Sequence, residues 1–539
     1  MIFHEAFGRA LAEHGIDVAF GVIGDANLFV MDSFGRHGGG RYVAMANEAG
    51  AVLAANGYAA ATGGLGVATV THGPGLTNTV TALVEGVRSR TPVLLIAGDT
   101  AASERQALQR IAQREVVAAA GAIFEQIYAP QSYNEDLNRA VRTALLQRCP
   151  VVLNLPAEFQ WAAVEVQTGL PAALPTRQAV AADPAALDAA VGLIASARRP
   201  IVLAGRGVCS PDERATLLHF AKQIGAPVAT TLRGKDLFRG APANLGIFGT
   251  FSSEATVQAI QRADCIVAVG ASLNGYTTAE GSFLADKKVV HVDVDERALS
   301  HDYHVDQPVL GDGKTVIEQI SAMLDAAEIT PSRFADELAD GSPVAPALPP
   351  IDNTPGTVNL FGTVARLDAA LPVDRAVVLD AGRFLVAALT GLQVPEPRAY
   401  IPTFNYGSIG LGMATAIGAA HAAPDRPVVM VCGDGGFMLG GLAEFNSAVR
   451  HRCDIIVVLF NDGAYGAEHI QFTMREMDPT VSTFQWPEFA AVADSLGAKG
   501  YTVRSGEDLE RVLAEIGDRD GPVLIDIKID PNSINASDH

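Results

Sequence analysis

Short, largely apolar runs rich in β-branched residues alternate with Ala-rich stretches along this chain. The runs are 66–70, 92–96, 150–154, 200–203, 264–269, 289–293, 427–431 and 454–459. Apolar runs of this length suit strands covered on both faces, as in parallel sheets. Their alternation with helical stretches predicts an α/β fold: three doubly wound parallel-sheet domains. Two proline-dense stretches read as extended connections between them. One is 166–184, with Pro171, Pro175 and Pro184; the other is 329–356, with Pro331, Pro343, Pro346, Pro349, Pro350 and Pro355. The expected domains are therefore 1–165, 183–328 and 357–539.

Composition narrows the class. Hydrophobic residues make up 49% of the 539 residues and charged residues 18%, so large cores can form and disorder is excluded. The formal net charge of −21 makes nucleic acid and anionic membranes poor partners. A polyanionic cofactor would have to be held locally, by backbone N–H groups or a metal. No apolar run is long enough to span a membrane, and the N-terminus lacks the basic start and apolar stretch of a signal peptide. A soluble cytoplasmic protein is expected. The five cysteines are scattered without a Cys-x-x-Cys pair, and Cys265 and Cys432 sit in apolar runs as small core residues.

The candidate chemistry is densest between Gly433 and Gly463. The run 428–431 leads into Cys432-Gly433-Asp434-Gly435-Gly436-Phe437, and Leu442, Phe445 and Val449 follow at helical spacing. The next strand ends in Asn461-Asp462-Gly463. Asp434 and Asn461 are thus placed at the C-terminal ends of parallel strands, where open α/β sheets bind ligands. A carboxylate from Asp434, an amide oxygen from Asn461 and a carbonyl from Gly463 are hard ligands suited to Mg²⁺, with phosphate and water completing the octahedron. Gly433, Gly435 and Gly436 permit close backbone approach, and the following helix N-terminus offers N–H groups to phosphate. A lone Gly-Asp-Gly is also a common turn. The strand–helix–strand spacing to Asn-Asp-Gly is what raises it above one.

That pair of motifs resembles the thiamine-diphosphate site of pyruvate decarboxylases and the acetolactate synthase group, and the chain is similar overall to the latter. The resemblance implies pyrimidine-binding, central and diphosphate-binding domains, with thiamine diphosphate and Mg²⁺ as cofactors. By the same match, Gly382, Arg383 and Phe384 form a second diphosphate-contacting loop, and Ala464 and Tyr465 extend the first. Asn405-Tyr406-Gly407-Ser408-Ile409-Gly410 is similar to the segment holding the aminopyrimidine ring. Ile409 would wedge the cofactor into its bent form, Ser408 would flank it, and the Gly407 carbonyl would accept from its amino group. Glu48, opening the Ala-rich stretch 49–61, falls where the family keeps the glutamate that activates the cofactor. A carboxylate there favours the imino tautomer, which removes the C2 proton to give an ylid. Taken by itself, Glu48 would read as a helix-start acid. The segment 71–78, Thr-His-Gly-Pro-Gly-Leu-Thr-Asn, resembles the family's Gly-Pro-Gly loop and favours the functional reading. In the family this glutamate and the diphosphate site belong to different subunits, implying a homodimer or homotetramer with sites at the interface.

Four residues are candidates for the substrate end. Asp25 resembles a decarboxylase aspartate, with a turn-forming Asp as the plain alternative. Glu468 matches a proton-donating glutamate after a one-residue shift; otherwise it is a solvated helix residue. His72 adjoins the glycine loop. Gln109 falls where synthases and lyases place a glutamine, with Gln113 as the competing match. The segment 470–485 is expected to cover the site.

Departures shape the reading. The His-His pair of pyruvate decarboxylases is missing near 100–115, and Gly270-Ala271 leads into Ser272-Leu273-Asn274 rather than the flavin loop of acetolactate synthases. The first argues against simple aldehyde release and the second against FAD. Gly205-Arg206-Gly207 is a bare glycine turn, too little to assign a nucleotide. The resemblance therefore implies a 2-oxo acid decarboxylase and carboligase working through a C2 ylid and an enamine. The alternative is a non-decarboxylating lyase or hydrolase of 2-hydroxy ketones or diketones. A non-catalytic homologue would be expected to lack Glu48, Asp434 or Asn461. A nicotinamide oxidoreductase would carry a Gly-x-Gly-x-x-Gly turn at a block start, and none is present.

Overall fold

The apolar runs form the central strands of three six-stranded sheets, flanked by helices. The computed structural model describes residues 1–166, 178–340 and 350–533. The first sheet holds β1 (Val18–Gly21), β2 (Arg41–Ala44), β3 (Gly66–Val70), β4 (Val93–Asp99), β5 (Ile123–Gln126) and β6 (Val151–Pro156). Its order is β2-β1-β3-β4-β6-β5, and the pairings are parallel. The second holds β7 (Pro200–Ala204), β8 (Val228–Thr230), β9 (Asn244–Ile247), β10 (Cys265–Val269), β11 (Lys288–Asp293) and β12 (Gln307–Leu310). It runs β12-β11-β10-β7-β8-β9, again with parallel pairings. The third holds β13 (Ala376–Leu379), β14 (Tyr400–Pro402), β15 (Val428–Gly433), β16 (Ile455–Asn461), β17 (Lys499–Val503) and β18 (Val523–Lys528). Its order is β14-β13-β15-β16-β18-β17. Strand order reverses between β1 and β3, between β7 and β10, and between β13 and β15. In open α/β sheets such points, beyond the carboxyl ends of the strands, are where ligands bind.

Two compact units contain these sheets. The larger comprises Met1–Leu174, Leu348–Leu392 and Ile401–His539; the smaller comprises Pro175–Ala347 with Gln393–Tyr400. The first and third sheets therefore share a unit, which their sequences do not announce. Two Ala/Gly-rich helices join them, Glu48–Thr62 and Gly412–Ala422. Most of their residues are buried, on every side. Each contributes a glycine at the crossing: a Cβ on Gly57 would strike the Thr415 carbonyl, and one on Gly418 would strike the Ala54 carbonyl. Small residues let the backbones touch, and the cores of both sheets merge around them.

The smaller unit alters two details of the linker reading. Pro184 is the first residue of the helix Pro184–Ser196, capped by Asp183, whose side chain accepts from the N–H groups of Ala185 and Ala186. Proline is pre-organised for that position, so here it starts an element. Within 329–356, residues Phe334–Asp340 form a helix. Phe334 is fully buried beside Phe248 and Ile266, and that anchor outweighs the surrounding proline content. Pro171, Pro175, Pro343, Pro346 and Pro349 lie outside the described residues. Gly205 and Gly207 are explained by packing, because a Cβ on either would collide with Gly270. All five cysteines are free, with Cys265, Cys432 and Cys453 buried. Among the described residues, no helix is long and apolar enough to cross a membrane.

Candidate active site

The switch point of the third sheet assembles the C-terminal candidates. β15 and β16 are neighbours in register, Gly433 opposite Phe460, so Asp434 and Asn461 emerge side by side. Gly463 adopts a left-handed φ of 65° and turns its N–H back on both. That N–H donates to Asp434 Oδ2 at 2.8 Å and to Asn461 Oδ1 at 3.1 Å. Asp434 Oδ1 accepts from the Gly435 N–H at 2.9 Å. Only 2% of Asp434 is exposed, and burial, then the nearby Asp462, pushes its carboxyl up to about 7. Asn461 is fixed from behind: its Nδ2 donates to Asp526 Oδ1 at 2.9 Å, in the fully buried side chain of β18. Asp526 also pairs with Lys528 Nζ at 2.8 Å. The bond to Asp526 settles which way the amide faces and leaves Oδ1 turned toward Asp434. The Gly463 carbonyl accepts from the Phe484 N–H at 2.7 Å, with a second lone pair remaining.

A metal fits this donor set. One carboxylate, one amide oxygen and one carbonyl are hard ligands, and a buried carboxylate without a cation is costly. Beside them a Cβ on Gly435 would strike the Tyr465 ring, and one on Gly433 would press on Phe384. Phe384 itself is buried and stacks on Phe460 at 6.0 Å. The segment after the 466–474 helix folds back over this corner. Ser482 accepts from the Tyr465 N–H at 2.8 Å, and Phe484 lies between Tyr465 and Trp486, 4.7 Å from each ring.

The segment 405–412 lies along the same crevice. Gly410, with φ of 84°, packs against Gly436 and Gly440. Its N–H donates to Asp380 Oδ2 at 3.0 Å, and the Gly412 N–H donates to the same oxygen at 3.3 Å. Asp380 is fully enclosed, and burial pushes its carboxyl up to about 6 against these donors. Gly407, Ser408 and Ile409 sit between, with Ser408 Oγ donating to the Ile409 carbonyl at 3.2 Å.

The N-terminal candidates gather at the switch point of the first sheet. Glu48 is the first residue of its helix, behind Asn47, whose side chain accepts from the Gly50 N–H at 2.6 Å. Half-buried Glu48 accepts from Asn78 Nδ2 at 3.0 Å, which ties it to the Gly-Pro-Gly loop. The backbone before it is gripped by Glu444, which accepts from the Ala46 N–H at 3.2 Å and the Asn47 N–H at 3.1 Å. His72 Nδ1 is 2.8 Å from Thr71 Oγ1, and Thr71 packs against Gly24, next to the exposed Asp25. The two glutamines separate clearly. Gln113 is 4% exposed and structural: Oε1 accepts from the Gly73 N–H at 2.9 Å, and Nε2 donates to the Gly98 carbonyl. Gln109 is half-buried with its backbone against Gly73, leaving its side chain as the candidate of the two.

One candidate stands apart. Glu468 is exposed on the first turn of its helix, whereas neighbouring His469 is 4% exposed and bonded to Asn532 Oδ1 at 3.0 Å. Arg383 lies 3.6 Å from Asp462 and donates to the carbonyls of Asp530 and Pro531, each at 3.1 Å. It fastens the loop to the C-terminal segment. Residues that sequence reasoning passed over are Asp380, Glu444, Asp462 and Asp526. An acid inside the apolar run 523–528 is a readable sign of a buried role for Asp526, whereas Glu444 looks like any helix-surface acid.

Comparison with known proteins agrees with this geometry. Residues 1–120 match the N-terminal TPP binding domain of thiamine pyrophosphate enzymes, 187–320 the central domain and 380–527 the C-terminal TPP binding domain. A probable acetolactate synthase large subunit of Methanocaldococcus jannaschii is 26% identical, covering 98% of this chain and 92% of its own. The acetolactate synthase of Mycobacterium leprae is 29% identical over 96% and 85%. A sulfoacetaldehyde acetyltransferase of Rhodobacter capsulatus is 29% identical over 95% and 91%. With three sheets in the order of the three matched domains, the chain belongs to the thiamine pyrophosphate enzymes.

Proposed function

We propose that this protein is a thiamine-diphosphate- and Mg²⁺-dependent decarboxylase and carboligase acting on 2-oxo acids. The observation that carries the reading is the corner where Gly463 N–H bridges Asp434 and Asn461, beside Asp526. Asp434, Asn461 and the Gly463 carbonyl would hold Mg²⁺. Gly433, Gly435, Gly436, Ala464, Tyr465, Gly382, Arg383 and Phe384 would frame the diphosphate. When bound, thiamine diphosphate supplies a nucleophilic thiazolium carbon and an electron sink for cleavage beside a carbonyl. The chain's part is positional and protonic. Glu48 presents a carboxylate held by Asn78 and by its own helix start. Ile409 is the apolar wedge, and Gly407 offers its carbonyl. His72, Gln109 and Asp25 would line the entry end, where a proton can be given or taken, and Glu468 is the further proton-donor candidate, on the exposed first turn of its helix. Tyr465, Phe484 and Trp486 exclude water from the clamp side.

We further propose that each site is completed by a second copy of the chain, in a homodimer or homotetramer. Exposed apolar side chains fringe both groups of candidates: Ile23 and Leu108 near Asp25 and Gln109, and Leu439 and Tyr465 near the clamp. Domain limits of 1–165, 183–328 and 357–539 and a cytoplasmic location complete the proposal.

The relative named as a sulfoacetaldehyde acetyltransferase favours a second reading, in which an aldehyde substrate is converted without loss of CO₂. Product analysis separates the two. The purified enzyme is given Mg²⁺, thiamine diphosphate and a panel of 2-oxo acids, with and without acceptor aldehydes, and in a further arm the aldehydes alone. CO₂ release with an acyloin product supports the first reading. Turnover of aldehydes alone, with no CO₂ from any 2-oxo acid, replaces it with the second.

A further inference from the structure

The segment 405–412 is suspended between two buried carboxylates. Asp380 takes its far end through the N–H groups of Gly410 and Gly412. Its near end is taken by Glu85, from the helix Val80–Ser89 that follows the Gly-Pro-Gly loop. Glu85 is 3% exposed. Its Oε1 accepts from the Asn405 N–H at 3.3 Å and from Asn405 Nδ2, and its Oε2 accepts from the Tyr406 N–H at 2.9 Å. One turn further along the helix, the Arg88 guanidinium lies 4.8 Å from the centre of the Tyr406 ring. Between the two carboxylates, Gly407 has a left-handed φ of 76° and open space around its Cα.

We propose that Glu85 is a positioning residue that pre-organises the stretch 407–409 for the aminopyrimidine half of the cofactor. The inference rests on the reading that this stretch holds the cofactor. Two backbone N–H groups and one amide are satisfied by a single carboxylate, so the segment enters and leaves in a fixed direction. Only the short glycine-led stretch between the anchors is left for a ligand. A segment already ordered pays no ordering cost when the ligand arrives. Without Glu85 the Asn405 and Tyr406 N–H groups lose this shared acceptor, the segment samples other conformers, and affinity falls by the fraction lost from the competent one. A glutamate on an amphipathic helix, Val80–Ser89, otherwise reads as a surface acid, so no sequence pattern singles it out.

The test uses full-length wild type, Glu85→Ala and Glu85→Gln, with Glu85→Asp as a further variant. Thiamine diphosphate is titrated calorimetrically in saturating Mg²⁺, well below each protein's unfolding temperature. The circular-dichroism band of the bound aminopyrimidine is recorded alongside. Glu85→Ala should bind the cofactor about tenfold to hundredfold more weakly, with an altered band. Glu85→Gln, which keeps one acceptor oxygen, should fall between it and wild type. If Glu85→Ala does not fold, Glu85→Gln and Glu85→Asp carry the comparison. Wild-type affinity and an unchanged band in the folded variants would overturn the inference, whatever their melting temperatures. Wild type that fails to bind thiamine diphosphate in the same titration would instead overturn the cofactor reading beneath it.

Discussion

Polar side chains at the two switch points are held by partners of opposite hydrogen-bonding character. Glu48 accepts from Asn78, Asn461 donates to Asp526, and Asp380 accepts from two backbone N–H groups. Glu48→Gln keeps size and polarity but removes the charge opposite the pyrimidine. Deuterium exchange of the cofactor's C2 hydrogen should slow about a hundredfold or more, while cofactor affinity stays within about twofold. Exchange at the wild-type rate would return Glu48 to the role of a helix-start acid. Asp380 gives a pH prediction. Its carboxyl is pushed from 3.8 to about 6 by burial, so the fold favours the protonated form. The stability it contributes is full below 3.8 and is lost as pH climbs through about 6. Asp380→Asn is neutral throughout. Between those limits, rising pH should therefore lower the unfolding midpoint of wild type relative to Asp380→Asn. Midpoint curves that stay parallel would contradict the buried-carboxylate account.

Elements show where sequence reading works and where it stops. Runs such as 66–70 and 454–459 are almost entirely apolar because both sheet faces are covered, and they became β3 and β16 within a residue or two. The Gly-Asp-Gly and Asn-Asp-Gly turns were legible for a related reason: β15 and β16 are neighbours, so a strand–helix–strand spacing sets both turns at one crevice. Partners from distant segments leave no such spacing. Nothing periodic in 48–62 says that it packs on 412–422, although Gly57 and Gly418 are the residues that allow it. Gly418→Ala should force the two helices apart. We expect a loss of about 1–3 kcal/mol in chemical denaturation, as overpacking costs in other tight cores. An unchanged midpoint would show that the helix contact has slack.

For the whole molecule, sequence separates three sheets but not their grouping, because two sheets share one unit through helices whose mutual fit is a matter of shape. Glu85 and Glu444 were missed for the same reason: on a helix, a buried acid differs from a solvated one only through neighbours far along the chain. Charge works at this scale too. A chain of net charge −21 offers a diphosphate no general attraction, so in the proposed reading the corner at Asp434 and Asn461 supplies it through a cation. The most direct test is a calorimetric titration of thiamine diphosphate into metal-free wild type and Asp434→Ala, each with and without Mg²⁺. The account predicts tight binding only for wild type with Mg²⁺, weakened about a hundredfold or more by removing either the metal or the carboxylate. Equal affinity in all four titrations would contradict the clamp.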